Sequence, residues 1–568
     1  MAEQGLNEDL QLQSPLQIFY RREQQQADDT CFVQPYPDGR VEELSWQQVG
    51  QQARCIAAYL KSLDYPAGSN IAILSGNCAH WIIADLAIWM AGHVSVPLYP
   101  VLSAHSVQQI LEHSEAKLLF VGKIMDWNSM SSGVPEGVSI VTMPIHPAEL
   151  SEKQSWQSIL NNTDSLLGEQ DRDLDDLATI VYTSGTTGMP KGVMHSFRNI
   201  AAVGTLTATM YETGPADRML SYLPLAHVAE RAAVETNQLY RGFKVYFANS
   251  LETFGDDLKR ARPTLFFAVP RIWLKLQQRV HEQVPAEKLQ RLLSIPILSR
   301  VIRRKISAAM GLDKVRIGVS GAAPLSTSIL AWYARLNVPI LEGYAMSENF
   351  AYSHTSRFGE SVFGTVGKAN PMVQCKISDV GEVLVKTPTT MLGYYKEPEI
   401  TAQTIDKDGY IHTGDKGRFD EAGNLVLTGR IKEIFKTSKG KYVAPAPIED
   451  RLLRSFDVEQ VCVTGADLPQ PLALLTLSEE ATAKLQQQGS GEQSRELLTR
   501  ELQQILSDTN QQIDKHENLQ CLVVLSEPWT VENGLMTPTL KIKREQVEAL
   551  YRDSFESWSS QGEKVIWI

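Results

Sequence analysis

One stretch of the sequence combines the residue types that bind phosphate. Residues 181–193, VYTSGTTGMPKGV, place aliphatic hydroxyls, glycines and one lysine directly after an apolar run. Glycine lets backbone N–H groups approach an anion, and lysine adds a mobile positive charge. The stretch is not a P-loop, because Pro190 stands where that motif requires glycine. We predict a polyphosphate-binding loop, with a surface Ser/Gly loop as the alternative; its residues are Thr183, Ser184, Gly185, Thr186, Thr187, Gly188 and Lys191.

Length and composition limit the class of protein. The 568 residues, 43% hydrophobic and 21% charged, predict several globular domains and argue against disorder and against a membrane-embedded chain. The net charge of -12 disfavours a nucleic-acid binder. Six cysteines without a C-x-x-C pair favour a reducing compartment, and no secretory signal is visible. The sequence therefore predicts a cytoplasmic protein.

The order of apolar runs predicts the fold class. Strand-like runs alternate with helical stretches from about Leu44 to Pro270 and again from Val315 to Ile340, which is typical of α/β domains with largely parallel sheets. Residues 362–430 are richer in glycine and in β-hairpin signals. We predict an α/β protein with a large N-terminal domain, residues 1–430, that includes a β-rich subdomain at 362–430. A small mobile α+β domain, residues 431–568, follows a hinge near Lys432.

A basic amphipathic segment interrupts this pattern. Residues 284–305, VPAEKLQRLLSIPILSRVIRRK, have the spacing of a helix with an apolar and a basic face. A membrane-surface helix and an ordinary solvated helix both explain it. Peripheral association with a membrane therefore stays open at this stage.

Six further motifs accompany the phosphate stretch in a fixed order. They are LPLAHVAER (223–231), SGAAPL (320–325), EGYAMSE (342–348), YIHTGD (410–415), GRIKEIFKTSKGKYVAP (429–445) and TPTLKIKR (537–544). Together with YTSGTTGMPKG they resemble the adenylate-forming superfamily, the AMP-binding enzymes that include acyl-CoA synthetases, luciferases and peptide-synthetase adenylation domains. The resemblance spans about residues 46–549. Departures are small: Ala345 stands where glycine is usual, Ser347 where threonine is common, and Leu540 where glycine usually precedes the lysine.

The resemblance implies sites for ATP and Mg²⁺. Thr183 and Glu348 would share the metal ion, which is chemically suited to one carboxylate plus substrate phosphates. Asp415 and Arg430 would hold the ribose. The adenine and AMP contacts would be Gly321, Ala322, Ala323, Glu342, Gly343, Tyr344 and Ser347.

The resemblance also implies the catalytic and coenzyme A residues. Lys541 would stabilise the negative charge that grows when a carboxylate attacks the α-phosphorus of ATP. His227 would lie beside that carboxylate, although a histidine in so apolar a stretch is also typical of a protein core; Glu230 and Arg231 can pair on the helix that follows. Lys432 occupies the hinge position, and Lys436, Lys439 and Gly440 would face coenzyme A.

The motif forms favour a long-chain fatty acid as the substrate. FFAVPRIWLKLQQRV (266–280) and the T-P-T-x-K form ending at Lys541 resemble long-chain acyl-CoA synthetases, and no carrier-protein motif follows Lys541. The implied reaction joins a fatty acid to coenzyme A through an acyl-adenylate, with release of AMP and pyrophosphate. Medium-chain, aryl or bile acids, delivery to a carrier protein, and a non-catalytic binder of nucleotide or fatty acid remain alternatives. The sequence leaves the oligomeric state undefined.

Overall fold

Strands and helices alternate along most of the chain, as the sequence pattern predicts. The computed structural model describes residues 11–183, 189–321, 323, 325–360, 362–486, 491–537 and 541–568. By its contacts the chain divides into two units, the first of residues 1–375 and 385–412 and the second of residues 376–384 and 413–568.

The strands, numbered along the chain, are as follows. They are β1 (Thr30–Pro35), β2 (Val41–Ser45), β3 (Asn70–Leu74), β4 (Val94–Leu98), β5 (Leu118–Val121), β6 (Ser139–Thr142), β7 (Gln154–Ser155), β8 (Leu177–Thr183), β9 (Lys191–Ser196), β10 (Arg218–Ser221), β11 (Lys244–Phe247), β12 (Leu265–Ala268), β13 (Ile317–Ser320), β14 (Ile340–Tyr344), β15 (His354–Thr355), β16 (Lys368–Ala369), β17 (Gln374–Ile377), β18 (Glu382–Lys386), β19 (Gly393–Tyr394), β20 (Ile411–Phe419), β21 (Leu425–Arg430), β22 (Phe435–Lys436), β23 (Tyr442–Val443), β24 (Val458–Thr464), β25 (Leu472–Leu477), β26 (Leu522–Leu525) and β27 (Val565–Trp567).

The α-helices are numbered in the same way. They are α1 (Pro15–Gln25), α2 (Trp46–Ser62), α3 (Ala79–Met90), α4 (Ala104–Ser114), α5 (Asn128–Ser131), α6 (Trp156–Asn162), α7 (Phe197–Met210), α8 (Val228–Glu230), α9 (Asn237–Arg241), α10 (Phe254–Ala261), α11 (Pro270–Gln283), α12 (Ala286–Ser294), α13 (Pro296–Ala309), α14 (Thr327–Arg335), α15 (Pro398–Thr404), α16 (Pro445–Leu452), α17 (Glu479–Gln486), α18 (Gly491–Gln511), α19 (Arg544–Tyr551) and α20 (Phe555–Ser560).

Two large mixed sheets form the first unit. One has the strand order β16-β15-β14-β13-β12-β10-β11-β1-β2, and the other β19-β9-β8-β4-β3-β5-β6-β7. Their central strands run parallel, whereas β9 and β19 at one end of the second sheet are antiparallel. Strands β3 and β4 are buried along their whole length because helices cover both faces of such sheets. The α/β prediction is confirmed.

Local sequence fixes where the helices begin. The Ser45 hydroxyl caps α2 by accepting a hydrogen bond from the Gln48 N–H, and the Gln48 side-chain oxygen accepts one from the Ser45 N–H. The same reciprocal pattern joins Ser196 and Asn199 at the start of α7, directly after β9. Helix α3 has no polar face because it is buried throughout, as the apolar sequence around Trp81 predicts.

The second unit contains smaller sheets. The four-stranded sheet β17-β18-β20-β21 belongs mainly to this unit, and it contains the β20–β21 hairpin that the EAGN turn predicts. The hairpin β22–β23 follows, and then a four-stranded sheet in the order β24-β25-β26-β27. Helices α16 and α18 pack on that last sheet through a buried aliphatic cluster that includes Ile448, Leu502 and Leu475. The predicted domain boundary at residue 430 and the hinge near Lys432 stay predictions.

Within the part of the chain that the structure describes, no helix is long and apolar enough to cross a membrane. The six cysteines are all unpaired thiols, so no disulfide contributes to the fold.

Candidate active site

The predicted phosphate loop joins two antiparallel strands of the first unit. β8 ends at Thr183, and β9 begins at Lys191 directly opposite it. The Thr183 hydroxyl donates to the Lys191 carbonyl at 3.5 Å. Ser184, Gly185, Thr186, Thr187 and Gly188 lie outside the described residues. The structure therefore places the two ends of the motif, Thr183 and Lys191, next to each other at one end of a buried strand.

Tyr394 connects this strand pair to Glu348. It lies on β19, which pairs with β9 so that Tyr394 faces Val193. Its hydroxyl donates to Glu348 Oε1 at 2.6 Å, and Lys191 Nζ lies 5.3 Å from the centre of its ring. Burial raises the pKa of Tyr394, so the phenol stays protonated and remains a donor. No motif pointed to Tyr394, because its contact with Glu348 arises from the pairing of β19 with β9, which are distant in sequence.

Three hydrogen bonds hold the turn that carries Ser347 and Glu348. His195 Nε2 donates to the Ser347 carbonyl at 2.8 Å, and the Met391 N–H donates to the Glu348 carbonyl at 2.8 Å. The Thr389 hydroxyl donates to the Asn349 carbonyl at 2.7 Å. Burial lowers the pKa of His195 to about 4, so the ring is neutral and acts as a fixed donor. Glu348 is therefore held in place through both its backbone and its side chain.

The predicted adenine contacts lie at the ends of neighbouring parallel strands. β13 and β14 pair with Ser320 opposite Glu342, which brings Gly321 beside Gly343. A Cβ at Gly321 would lie 3.3 Å from the Phe267 ring and 3.5 Å from the Gly343 carbonyl, so the backbone here lies close to its neighbours. Tyr344 lies against His354, with 6.1 Å between ring centres. Ala323 is exposed, and Ala322 lies outside the described residues.

Glu342 supports this strand end from within the protein. Its side chain accepts a hydrogen bond from the Leu325 N–H at 3.3 Å, in the loop that contains the SGAAPL motif. Burial raises the pKa of Glu342 to about 7. The residue is buried, and its observed contact with the Leu325 N–H supports the loop.

His227 forms the N-terminal cap of α8. The Ala229 N–H donates to His227 Nδ1 at 3.1 Å, so Nδ1 is an acceptor and the neutral ring carries its proton on Nε2. The imidazole is half-buried, and the flanking Ala226 and Val228 are buried. The structure thus gives His227 one defined tautomer and leaves its predicted role beside the carboxylate a prediction.

The expected pairing of Glu230 with Arg231 is wrong. Glu230 instead accepts hydrogen bonds from the Ser221 hydroxyl at 2.9 Å and from the Tyr222 N–H at 3.1 Å. The two side chains point to different parts of the core because they are neighbours in sequence, and only residues three or four apart share a helix face.

Arg231 is the centre of a buried ionic cluster that the sequence did not reveal. It forms ion pairs with Asp85 of α3 and with Glu235, and donates to the Thr179 hydroxyl at 2.6 Å. Burial and the neighbouring Asp85 carboxylate raise the pKa of Glu235 well above its usual range. Residues Arg231–Thr236 form a π-helical turn, a rare geometry. Since Thr179 lies on β8, the cluster ties the segment after His227 to the strand that ends at Thr183.

Glu230 makes the stability of the first unit depend on pH. Burial raises its pKa to about 8, so the folded state binds this proton more tightly than the unfolded state, in which the pKa is 4.5. The contribution is full below about pH 4.5 and is lost as pH rises through 8. We expect Glu230→Gln to reduce the fall in unfolding temperature between pH 5.5 and 8.5, measured by calorimetry. The exposed Glu360→Gln is the matched control, and an equal fall in both variants would contradict the assignment.

Two ribose candidates of the second unit face each other across a hairpin. Asp415 of β20 lies opposite Arg430 of β21, and Arg430 Nε donates to Asp415 Oδ1 at 2.8 Å. The Asp415 side chain is nearly buried and that of Arg430 is half-exposed. The pair is suited to binding two adjacent hydroxyls, because the carboxylate accepts and the guanidinium donates.

The predicted hinge and coenzyme A residues come shortly after Arg430 in the chain. Lys432 lies exposed in the 3₁₀ turn Ile431–Glu433. Lys436, Lys439 and Gly440 are exposed on the β22–β23 hairpin, where Gly440 has a φ of +75° and its N–H donates to the Thr437 carbonyl. The left-handed conformation explains the glycine at this turn.

Lys541 follows residues 538–540, which lie outside the described residues, and is hydrogen-bonded to Thr537. The Thr537 N–H donates to the Lys541 carbonyl at 2.8 Å, and the Lys541 N–H donates to the Thr537 hydroxyl at 3.0 Å. Met536 and Ile542 form a β-bridge beside them, and the Lys541 side chain is exposed. Contacts with Met536 and Thr537 therefore fix the backbone at Lys541 and Ile542.

Arg544 links the Lys541 segment to the segment around Lys432. Its guanidinium donates to both carboxylate oxygens of Glu449, at 2.7 and 2.9 Å, and to the Val463 carbonyl at 2.6 Å. Glu433, next to Lys432, lies 4.0 Å away. Sequence reasoning did not select Arg544, although its place three residues after Lys541 is a signal that could have been used.

The Arg544 linkage predicts a loss of stability in the second unit. Arg544→Met leaves the largely buried Glu449 carboxylate without its partner, and we expect the free energy of unfolding to fall by about 3 kcal/mol. Arg544→Lys should restore part of the lost free energy of unfolding. Arg500→Met, in an exposed pair with Glu496, should change it by less than about 1 kcal/mol. Denaturant titration measures all three, and equal effects of Arg544→Met and Arg500→Met would contradict the linkage.

The oxygen donors predicted to share Mg²⁺, on Glu348 and Thr183, fit the ion in kind. A carboxylate and a threonine hydroxyl are hard oxygen ligands, and Mg²⁺ usually keeps waters and binds through one or two carboxylates plus phosphates. Among the described residues, no group of three or more His, Cys, Asp or Glu side chains forms a complete metal cage.

The fold matches solved structures of a carboxylic acid reductase didomain and of a CoA ligase. The A-PCP didomain of carboxylic acid reductase from Segniliparus rugosus, in complex with AMP, aligns with a TM-score of 0.80 and 24% identity over 98% of this chain and 83% of that one. The anthranilate CoA ligase AuaEII, in complex with anthranoyl-AMP, aligns with a TM-score of 0.76 and 20% identity over 95% and 97%. At these identities the likeness establishes the fold alone.

Sequence comparison assigns the family. The AMP-binding enzyme family matches residues 19–395, and the AMP-binding enzyme C-terminal domain matches residues 432–561. The chain belongs to the AMP-binding enzyme family. Human long-chain-fatty-acid–CoA ligase 1 is 31% identical over 95% of this chain and 85% of its own length. Long chain acyl-CoA synthetase 6, peroxisomal, of Arabidopsis thaliana is 31% identical over 91% and 82%. The resemblance to long-chain acyl-CoA synthetases is confirmed.

Proposed function

We propose that the protein is an AMP-forming acid–CoA ligase that activates a long-chain fatty acid. The observation that carries the proposal is the contact set of Glu348, Tyr394 and Lys191 at the end of the strand that leads into the phosphate motif. The family of the protein supports this reaction class, and relatives named as long-chain-fatty-acid–CoA ligases favour a long-chain fatty acid as the substrate.

In the first step, a carboxylate oxygen of the fatty acid attacks the α-phosphorus of ATP. The bond to the bridging oxygen breaks and pyrophosphate leaves with that electron pair. Lys191 and the hydroxyls of residues 183–187 would bind the departing β- and γ-phosphates, and Lys541 would stabilise the charge on the bridging and leaving oxygens. His227, with its proton on Nε2, would donate to the carboxylate being activated.

Glu348 and Thr183 would hold Mg²⁺ with the phosphates. The ion, when bound, neutralises phosphate charge. The Tyr394 hydroxyl orients the Glu348 carboxylate for this purpose, as a hydrogen-bonded partner commonly does for a metal ligand.

Different residues would bind the adenine base and the ribose of ATP. Gly321, Ala322, Ala323 and Gly343 would form a close wall for adenine, with Tyr344 stacking on it. Ser347 would approach the α-phosphate, and the structural role of Glu342 would set the wall's position. Asp415 and Arg430 would bind the ribose hydroxyls.

In the second step, the coenzyme A thiol attacks the acyl carbon of the adenylate, and AMP leaves as the carbon–oxygen bond breaks. Lys436, Lys439 and Gly440 would contact coenzyme A. We propose that rotation about Lys432 exchanges Lys541 for this hairpin between the steps, since a few residues at an element end can absorb such a change.

A screen of acids tests the proposal. Pyrophosphate release is measured for saturated acids from acetate to stearate and for aryl and bile acids, with and without coenzyme A. We expect the highest kcat/KM with long-chain acids and faster turnover when coenzyme A is present. A maximum at aryl or bile acids would reassign the substrate, activation only by a carrier protein would reassign the acceptor, and no release with any acid would indicate a non-catalytic binder.

A further inference from the structure

Helices α12 and α13 of the first unit are rich in basic residues. Residues 284–305 contain one acidic residue, Glu287, in a chain whose net charge is -12. The six basic residues of this segment are Lys288, Arg291, Arg300, Arg303, Arg304 and Lys305. Positive charge is therefore concentrated on one element of an acidic protein.

The inner face of α13 is fixed by packing against the core. Ile302 and Ile306 pack against the cluster that contains Trp273 and Tyr333, and Leu289 of α12 is buried in the same cluster. Ser299 and Ser307 lie buried on the same side. The orientation of α13 follows from these contacts, so its opposite face points away from the core.

Apolar side chains lie among the charges of that opposite face. Ile295, Leu298 and Val301 are 50%, 37% and 51% exposed. At 100° per residue, Arg304 and Lys305 flank Val301, and Arg300 lies at the edge of the same face. Among the residues that the structure describes, none provides an acidic partner for Arg300, Arg304 or Lys305. These six residues, 295, 298, 300, 301, 304 and 305, are called the α13 surface.

We propose that the α13 surface docks on anionic phospholipid. Aliphatic side chains flanked by arginine and lysine fit the boundary between headgroups and acyl chains, where the long basic side chains reach the phosphates. Each basic side chain near an anionic membrane strengthens binding about fivefold. An acidic protein surface would attract the charges equally but would not require three exposed aliphatic residues in their midst. The docking would bring the enzyme to a substrate that partitions into bilayers, and only this benefit rests on the proposed function.

Vesicle flotation with the full chain, without ATP or coenzyme A, tests the docking. We expect binding to vesicles of 70% phosphatidylcholine and 30% phosphatidylglycerol and weak binding to phosphatidylcholine alone. The variant Arg300→Glu, Arg304→Glu, Lys305→Glu should bind anionic vesicles about a hundredfold or more weakly. The matched control Lys117→Glu, Lys153→Glu, Lys407→Glu carries the same net charge and should bind nearly as wild type does.

A second variant tests the apolar contribution independently of charge. Ile295→Ser, Leu298→Ser, Val301→Ser should weaken binding about tenfold or more, and the effect should persist at 0.5 M salt, where electrostatic attraction is screened. The control is Leu167→Ser, Leu251→Ser, at positions 89% and 79% exposed. Equal loss in variants and controls, or no vesicle binding by the wild type, would overturn the proposal, and selective capture of an acidic protein or RNA instead would assign the surface to that partner. Pyrophosphate release with octanoate, which needs no membrane, tests the proposed function separately.

Discussion

Lys541→Ala is expected to slow acid-dependent pyrophosphate release by about a thousandfold and to leave thioester formation from supplied acyl-AMP largely intact. The reason is that negative charge develops on the bridging and leaving oxygens only in the first step, where a positioned ammonium is worth several kcal/mol. Because the Lys541 side chain is exposed and its backbone is hydrogen-bonded to Thr537, alanine should preserve the fold. Single-turnover measurements of each half-reaction provide the comparison.

Lys543→Ala is the matched control for this result. Lys543 lies two residues further on, and its backbone carbonyl accepts from the Val547 N–H at the start of α19. Alanine keeps that backbone contact, so we expect both half-reactions within about threefold of wild type. Equal slowing of the two half-reactions by Lys541→Ala, or a larger effect of Lys543→Ala, would remove Lys541 from the role proposed here.

Glu348→Gln is expected to give the second large effect, a loss of at least about a hundredfold in adenylation at millimolar Mg²⁺. The substitution keeps the shape of the side chain and removes the negative charge that Mg²⁺ requires. Since Glu348 is held by the Met391 N–H through its carbonyl, the turn should survive. The measurement is pyrophosphate release as a function of Mg²⁺ concentration. Glu360→Gln, which alters an exposed carboxylate paired with Lys368, is the control and should leave the curve unchanged.

Tyr394→Phe separates the orientation of Glu348 from its charge. Phenylalanine keeps the ring near Lys191 and removes the hydroxyl that donates to Glu348 Oε1. We expect the Mg²⁺ concentration for half-maximal rate to rise about tenfold, with the rate recovering at saturating Mg²⁺. An unchanged Mg²⁺ curve in both Tyr394→Phe and Glu348→Gln would show that the metal binds elsewhere.

The alternation of apolar runs was sufficient to predict the α/β class, since parallel strands must be apolar on both faces. Ser45 and Ser196 also mark helix starts by a local rule, a hydroxyl followed three residues later by an amide side chain. Thr183 and Lys191 were selected as members of one motif, but the antiparallel pairing of β8 with β9 that places them opposite each other is known only from the structure.

Contacts between segments that are far apart in the chain could not be predicted from the sequence. Tyr394 lies more than forty residues after Glu348, and Asp85 and Arg231 come from separate helical segments of the same unit. The error over Glu230 and Arg231 has the same origin, because burial and tertiary partners, rather than adjacency, determine where a charged side chain points. The contacts of Tyr394, Asp85 and Arg231 depend on strand pairing and helix packing, which no single motif encodes.

The central claim is that the chain forms an acyl-adenylate and transfers the acyl group to coenzyme A. The most direct test incubates the protein with palmitate, ATP, Mg²⁺ and coenzyme A and quantifies the products by mass spectrometry. We expect palmitoyl-CoA, AMP and pyrophosphate in equal amounts, with palmitoyl-AMP accumulating when coenzyme A is omitted. Formation of ADP and phosphate in place of AMP and pyrophosphate, or the absence of any acyl product, would contradict it.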